Sequence, residues 1–312
     1  MRVLVTGAAG FVGRYLLHLL EHHTSHRVHV LGRGVEALGY PPGRSWPVDL
    51  RDRNAVAEAV TAVGPEIVVH LAGTTSVAES WNDPVTTMAT NILGTAHLLD
   101  AIPPDTLIRW INAGSAEEYA AIPSRLGEEH PLCPASPYGT SKVTQEWLLQ
   151  QMAVQKQFAV YQFRAFNQTG PGQDPRFVVP SLAAQVLRTK HHPTAAIQVG
   201  NLSPVRDFLD VRDSTQIYAA AIAGQIAPGT YNLCSGRGRS IREILDDLLR
   251  IAGIAAEPQE DPSRFRPVDV PYLVGNPHKL EQALGRSVTT IPWQETLTDL
   301  MQALESASGD AQ

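Results

Sequence analysis

The sequence of 312 residues has little cysteine, little lysine and no long apolar run, and each shortage excludes a class of protein. Its two cysteines, Cys133 and Cys234, stand far apart without a metal-ligand spacing, so we expect buried reduced thiols rather than a disulfide. The basic residues are scattered and nearly all arginine, and the formal net charge is −6. This distribution argues against a nucleic-acid partner and against a polybasic membrane surface.

Signals for a membrane, an export route or a metal are missing too. The longest apolar stretches fall well short of the roughly eighteen residues of a membrane helix. The start, MRVLVTGAAG, runs directly into an apolar strand pattern without the features of a signal peptide, so we expect a cytoplasmic protein. The histidine clusters at 22–26 and 191–192 lack an HExxH or HxH spacing, and we expect no metal.

Short apolar strands alternate with helical patterns through the first two thirds of the chain. We predict helices over residues 11–23, 53–63, 85–101 and 138–155, between strands at RVLVTG, RVHVLGR, IVVHLAG, LIRWINAGS and FAVYQFRAFN. This rhythm is typical of an α/β protein with a Rossmann-type doubly wound parallel sheet. The helices at 85–101 and 138–155 have apolar residues beyond the needs of a core, so we expect a homodimer contact through them.

After about residue 168 the chain becomes richer in glycine, proline and clustered arginine, which predicts a smaller, interleaved C-terminal substrate domain. The Rossmann domain would comprise residues 1–168 and 207–226. The substrate domain would comprise residues 169–206 and 227–305, with a frayed tail at 306–312.

The segment VTGAAGFVG places Gly7, Gly10 and Gly13 between the first strand and the first helix. Backbone N–H groups at such a turn can hold a pyrophosphate at close range, so the segment predicts a dinucleotide site. Further cofactor contacts are predicted at this turn and after the following strands, at Phe11, Val12, Arg33, Asp49, Leu50, Leu71, Ala72 and Gly73.

Arg33 stands where an NAD-preferring fold carries a carboxylate for the ribose 2′-hydroxyl. An arginine there suits a 2′-phosphate, which favours NADP(H) and leaves NAD(H) as the alternative. Asp49 is predicted to contact the adenine amino group.

The segment SPYGTSK places Tyr138 and Lys142 on one face of a helix. We expect the lysine charge to lower the pKa of the phenol, which could then exchange a proton with a substrate oxygen. Tyr138 and Lys142 are also predicted to bind the cofactor. In GSAEEYA, Ser115 and Glu117 would lie on one side of a continuing strand and Glu118 on the other. These residues predict a catalytic set of Ser115, Tyr138, Lys142 and Glu117.

The motifs TGAAGFVG, HLAG, AGSAEEY and YGTSK resemble those of the extended short-chain dehydrogenase/reductase superfamily, nucleotide-sugar branch, along essentially the whole chain. Within that branch, FNQTGPGQDPRFVVPSLAAQV, VGNLSPVRDFLDVRD, YNLCSGRGRSIREIL and FRPVDVPYLVGN are most similar to GDP-6-deoxy-D-mannose reductases, followed by GDP-mannose 4,6-dehydratases. The resemblance implies a GDP-sugar substrate and a hydride passed from NADPH to the C4 ketone of GDP-4-keto-6-deoxy-D-mannose, giving GDP-D-rhamnose.

Substrate contacts are expected mainly in the second domain. Asn167 ends the last core strand, and Arg206 and Arg266 lie in loops where a bidentate guanidinium suits phosphate oxygens. The resemblance adds Val178 and Asn201.

The alternatives concern the chemistry at Glu117, which aligns with the eliminating glutamate of the dehydratases. Ala116 stands where dTDP-sugar dehydratases carry an aspartate, and the short LGRG segment differs from the two-arginine segment of GDP-mannose dehydratases. We therefore favour a reductase, in which Glu117 only binds sugar hydroxyls, over a dehydratase or a 4-epimerase. A non-catalytic NADP-binding protein is a further alternative, against which the intact Ser115, Tyr138 and Lys142 set argues.

Overall fold

The structure, a computed structural model, describes residues 1–192, 194–265 and 270–309. Its strands, in chain order, are β1 (Arg2–Thr6), β2 (Arg27–Leu31), β3 (Ser45–Trp46), β4 (Ile67–His70), β5 (Arg109–Ala113), β6 (Ala159–Ala165), β7 (Asn167–Thr169), β8 (Ile197–Val199), β9 (Val205–Asp210), β10 (Gly229–Leu233), β11 (Gly238–Ser240), β12 (Pro258–Glu260) and β13 (Tyr272–Leu273). Its α-helices are α1 (Phe11–His23), α2 (Arg53–Val63), α3 (Val77–Asn82), α4 (Pro84–Met88), α5 (Gly94–Ala101), α6 (Pro137–Lys156), α7 (Val178–His191), α8 (Val211–Ala223), α9 (Ile241–Ala252), α10 (His278–Leu284) and α11 (Trp293–Gly309).

Seven strands form one parallel sheet in the order β10-β6-β5-β4-β1-β2-β3. Helices α1, α8 and α10 bury one face of the sheet, while α2, α5 and α6 bury the other. Strands covered on both faces are apolar throughout, as residues 3–5 and 67–69 are. The predicted Rossmann-type doubly wound sheet is confirmed. Helices α1 and α2 have the predicted bounds, but a π-helical turn at Ala89–Leu93 divides the predicted helix at 85–101.

A second apolar core lies between α7, α9, α11 and strand β8. Strand β9 pairs with β7, β11 and β13, and β8 pairs with β12. Phe208 of β9 packs into this second core, whereas its neighbour Leu209 packs into the core of the main sheet. Strand β9 therefore joins the two units. No helix within the described ranges is long and apolar enough to cross a membrane.

Three predictions are corrected. Residues 229–233, placed in the substrate domain from sequence, form edge strand β10 of the main sheet, because a short apolar strand far along the chain gives no sign of its partner. The predicted tail begins inside α11, which continues to Gly309. Both thiols are free, but Cys133 is exposed and only Cys234 is buried. Helix α10, placed in the substrate domain as well, also packs on the main sheet. The rest of the domain division stays a prediction.

Candidate active site

A cleft of about 1390 Å³ runs along the carboxyl ends of the parallel strands, between the main sheet and the second unit. Ligands of open α/β sheets bind at this edge. A pocket for one small molecule encloses roughly 300–1,000 Å³, so this cleft has room for two ligands in sequence. Every residue predicted to bind the cofactor lies along its wall.

The glycine turn after β1 is shaped for close approach. Gly7 has a φ of 70°, which an L side chain rarely adopts, and Gly10 N donates to Gly7 O at 3.0 Å. A Cβ at Gly13 would lie 2.4 Å from Gly7 O, so a side chain there would push the turn and α1 apart. Gly10 caps α1 without a side chain that could occupy the first-turn N–H groups. This turn therefore fits a pyrophosphate.

One end of the cleft has an arginine and an aspartate in its wall. Arg33 lines this end. Asp49 is held by Arg51, with 2.6 Å between Arg51 Nη2 and Asp49 Oδ2, and the hydrogen bond to Arg51 lowers the pKa of Asp49 to about 2. The predicted contact between Asp49 and adenine stays a prediction.

The GSAEEYA segment does not continue the strand as expected. Strand β5 ends at Ala113, and Ala116–Glu118 form one 3-10 turn capped by Ser115, whose Oγ accepts from Glu117 N at 3.1 Å. Glu118 completes a capping box by accepting from Ser115 N at 2.6 Å. Serine and glutamate at this spacing favour the turn over an extended strand. Ser115 and Glu117 nevertheless line the cleft and Glu118 is fully buried, but Ala116, which strand alternation would place with Glu118, lines the cleft too.

Helix α6 brings Tyr138 and Lys142 to the same part of the cleft. It begins after Ser136, whose Oγ accepts from Gly139 N at 3.1 Å. A Cβ on Gly139 would lie 2.3 Å from Glu117 O, so glycine lets α6 pack directly against the 116–118 turn. Tyr138 consequently lies beside Ser115.

The electrostatics of this pair differ from the sequence argument. Burial raises the pKa of Tyr138, and a hydrogen bond with Ser115 only partly opposes that shift. Burial also lowers the pKa of Lys142 to about 8. Its Nζ donates to Ala113 O at 2.8 Å and to Gln145 Oε1 at 3.0 Å. The expected lowering of the Tyr138 pKa by Lys142 is therefore not what the structure shows, since burial dominates.

A buried polar network behind Lys142 was not predicted. Asn91, in the π-helical turn, accepts from Thr74 N at 2.9 Å and donates to Ser141 Oγ at 2.8 Å. Gln145 donates to Thr95 Oγ1 at 2.7 Å. The available signal was weak, because Asn91 and Thr95, four residues apart, stand among other polar residues of the predicted helix, such as Thr87 and Thr90. Such π-helical turns are frequent at functional sites.

The opposite wall comes from the second unit, where Asn167, Val178, Asn201 and Arg206 line the same cleft. Two predicted positions are corrected: Asn167 begins the short strand β7 and does not end β6, and Arg206 lies in β9 and not in a loop. Asn167 Nδ2 donates to Asp207 O at 3.1 Å, and Arg206 is only 7% exposed. The predicted contact Arg266 lies outside the described residues.

Arg212, by contrast, has a structural role. It contacts Asp210 at 2.8 Å and Asp299 at 2.7 Å, which ties the start of α8 to α11.

The glycine turn and the serine, tyrosine and lysine of one cleft are features of short-chain dehydrogenases and reductases, which are NAD(P)-dependent enzymes. The chain belongs to the GDP-mannose 4,6-dehydratase family, whose model matches residues 4–292. The resemblance expected from the sequence is thereby confirmed.

Similar proteins narrow the class to enzymes of nucleotide sugars. GDP-6-deoxy-D-mannose reductase from Pseudomonas aeruginosa is 32% identical over 99% of this chain and 96% of its own. GDP-6-deoxy-D-talose 4-dehydrogenase from Aggregatibacter actinomycetemcomitans is 30% identical over 91% of this chain and 92% of its own. The crystal structure of RMD from Pseudomonas aeruginosa, complexed with NADPH, matches with a TM-score of 0.85 at 30% identity, over 98% of this chain and 99% of that one.

Proposed function

We propose that this protein reduces the C4 ketone of GDP-4-keto-6-deoxy-D-mannose with NADPH, giving GDP-D-rhamnose. The observation that carries the proposal is the placement of Ser115 and Tyr138 in the cleft that the glycine turn also lines, with Asn167 and Arg206 on the facing wall. The identity of 32% with a GDP-6-deoxy-D-mannose reductase along nearly the whole chain supports the substrate. The second unit would then hold the GDP moiety, with Arg206 donating to its phosphates.

The chain's own residues would act as follows. Tyr138 donates a proton to the alkoxide that develops at C4, and its raised pKa keeps the phenol protonated at neutral pH. Ser115 orients the ketone by hydrogen bonding, and Lys142 holds the nicotinamide ribose. NADPH, when bound, supplies the hydride.

Reduction fits the carboxylates of the cleft better than dehydration does. Elimination of water needs a base for the C5 proton and an acid for the C6 hydroxyl. Among the described residues of the cleft wall, Glu117 is the carboxylate beside Ser115. The others interact with arginines: Asp49 with Arg51, and Glu79 and Asp174 with Arg176 at 3.7 and 3.6 Å.

Two arginines favour NADPH over NADH. Arg33 and Arg14 both line the cleft, and they come from segments that meet at Ala9. Arg14 Nε donates to Ala9 O at 3.0 Å, while a Cβ on Gly34, next to Arg33, would lie 3.6 Å from Ala9 Cβ. Two arginines along this part of the cleft suit the additional phosphate of NADPH.

The product could instead have the opposite configuration at C4. The identity of 30% with a GDP-6-deoxy-D-talose 4-dehydrogenase favours this second candidate, since 6-deoxytalose and rhamnose differ only at that carbon. The same catalytic residues would serve both products.

We also propose a homodimer through α4, α5 and α6. Trp81, Val85, Leu93, Trp147 and Val154 are large apolar side chains between 42% and 83% exposed, on or beside these helices. Exposed apolar groups on neighbouring helices are typical of an interface. Trp147→Glu should convert a dimer to a monomer in light scattering, whereas the exposed control Glu58→Gln should not.

The activity is tested with GDP-4-keto-6-deoxy-D-mannose and NADPH, by following NADPH absorbance and identifying the product by NMR. Tyr138→Phe should lower kcat by about 10²- to 10⁴-fold with an unchanged Kd for NADPH. Retained turnover in this variant would contradict the role of Tyr138. Consumption of GDP-mannose without added NADPH would identify a dehydratase instead.

A further inference from the structure

Three buried ionisable side chains meet behind the 116–118 turn and take no part in the chemistry described above. Glu118, Glu146 and Arg164 are 0%, 1% and 6% exposed, and they come from the turn, from α6 and from β6. Arg164 donates to Glu146 twice, through Nε at 3.0 Å and Nη2 at 2.7 Å. Glu118 Oε2 lies 3.6 Å from the same Nε, and no described residue donates a hydrogen bond to it.

Within this cluster a single guanidinium faces two carboxylates, and the nearby Lys142 donates to Ala113 O and Gln145 Oε1 and not to Glu118. This guanidinium, which belongs to Arg164, already donates two hydrogen bonds to Glu146. A second, unpaired carboxylate in a buried site would be strongly destabilising. Two neighbouring carboxyl groups relieve this by sharing a proton, because ionising both is unfavourable.

The surroundings of the two carboxyl groups shift their pKa values in opposite directions. Burial and the neighbouring Glu146 raise the pKa of Glu118 well above its usual value. Burial would raise the pKa of Glu146 as well, but the hydrogen bonds from Arg164 outweigh burial and lower it. The proton therefore belongs on Glu118.

We propose that Glu118 is a neutral carboxylic acid that donates to Glu146, accepts from Ser115 N and thereby acts as the positioning residue for the Ser115 hydroxyl. The assignment of a catalytic role to Ser115 rests on the proposed function. The proton on Oε2 gives that orphaned oxygen a partner, and Oε1 already accepts from Ser115 N at 2.6 Å.

The position of Glu146 explains why this link matters for the site. Glu146 lies four residues after Lys142 and eight after Tyr138, on the same face of α6. A hydrogen bond from Glu118 to Glu146 therefore ties the turn of Ser115 to the helix of Tyr138. Arg164 also donates to Tyr119 OH at 3.1 Å, which holds the other end of the turn. The cluster thus fixes the separation between the two side chains that would contact the ketone.

The test compares Glu118→Gln with Glu118→Leu, with Glu58→Gln on the exposed face of α2 as the matched control. Glutamine keeps one donor for Glu146 and one acceptor for Ser115 N, so it should retain wild-type kcat. Leucine keeps the approximate volume but neither hydrogen bond, so kcat should fall on the order of 100-fold, while the Kd for NADPH stays unchanged. An equal loss in both variants, or full activity of Glu118→Leu, would overturn the proposal.

Infrared difference spectroscopy keeps the test independent of turnover and of the folding of the leucine variant. At neutral pH, the spectrum of wild type minus Glu118→Gln should contain a protonated-carboxyl C=O band that shifts in D2O. The control Glu58→Gln should give no such band. A missing band in the first difference would show that Glu118 is ionised and refute the inference. A wild-type enzyme inactive on the proposed substrate would refute the proposed function alone.

Discussion

Gly139→Ala tests whether the close packing of α6 against the 116–118 turn, and not the helix propensity of α6, is needed for activity. Alanine is the better helix former by about 1 kcal/mol, so propensity alone predicts a harmless or stabilising change. The new Cβ, however, would lie 2.3 Å from Glu117 O and 2.8 Å from Pro134 Cβ. Restoring ordinary contact, which begins at 3.4 Å, requires the helix and the 116–118 turn to separate by about 1 Å.

Such a movement of α6 away from the 116–118 turn would change the distance between Tyr138 and Ser115, the two side chains proposed to contact the ketone. A misplacement of about 1 Å can lower a rate on the order of 100-fold, so we expect a loss of that size in kcat. The Kd for NADPH, measured by fluorescence titration, should change far less than kcat, because the glycine turn that would hold the pyrophosphate belongs to β1 and α1, and α6 contributes only the proposed contact of Lys142 with the ribose. Thr140→Ala is the matched control, since Thr140 is exposed in the same turn of α6. A Gly139→Ala variant with wild-type kcat would refute the reasoning, and so would one that loses NADPH binding to the same extent.

Two further predictions concern the cofactor and pH. Arg33→Ala would remove the charge-assisted hydrogen bond proposed for the 2′-phosphate, so the Kd for NADPH should rise about 10- to 100-fold and that for NADH should not. Equal losses in a fluorescence titration would contradict the assignment. Burial lowers the pKa of His70 to about 3, below its unfolded value of about 6.5, so the unfolded chain binds the additional proton between these values. The free energy of unfolding should therefore fall with decreasing pH across this window, by about 1.4 kcal/mol per pH unit from His70, and urea denaturation of His70→Gln should lack this component.

Most of the main sheet could be read from local pattern. The apolar runs of β1, β2 and β4 and the periodicity of α1 and α2 are properties of neighbouring residues, and local sequence determines them. The place of strand β10 in the main sheet was not predicted, because its pairing with β6 joins residues far apart in the chain. The π-helical turn was not predicted either. It contains one additional residue, and the buried hydrogen bonds of Asn91 to Thr74 and Ser141 stabilise it, whereas helix propensity gives no sign of it.

The candidate site shows the same division. The residue types and spacing of SPYGTSK and VTGAAGFVG indicate the chemistry, because a given reaction needs particular groups in particular places. The predicted lowering of the Tyr138 pKa was wrong. Lys142, four residues away, suggests a charge effect, whereas the burial that raises the pKa depends on the whole fold. Glu118 was predicted to point away from the cleft, and it does, but the predicted reason was wrong. The capped 116–118 turn, and not the alternation of a strand, directs the side chain inward.

By itself, the sequence determined the Rossmann-type sheet, the glycine turn and the identity of the groups that would carry hydride and proton chemistry. Only the tertiary structure decided that Glu118 meets Glu146 and Arg164 and that Lys142 faces Ala113 and Gln145. The physical reason is that hydrogen bonding and burial are set by distances between segments remote in the chain. Those distances exist only after the sheet and its helices have packed together.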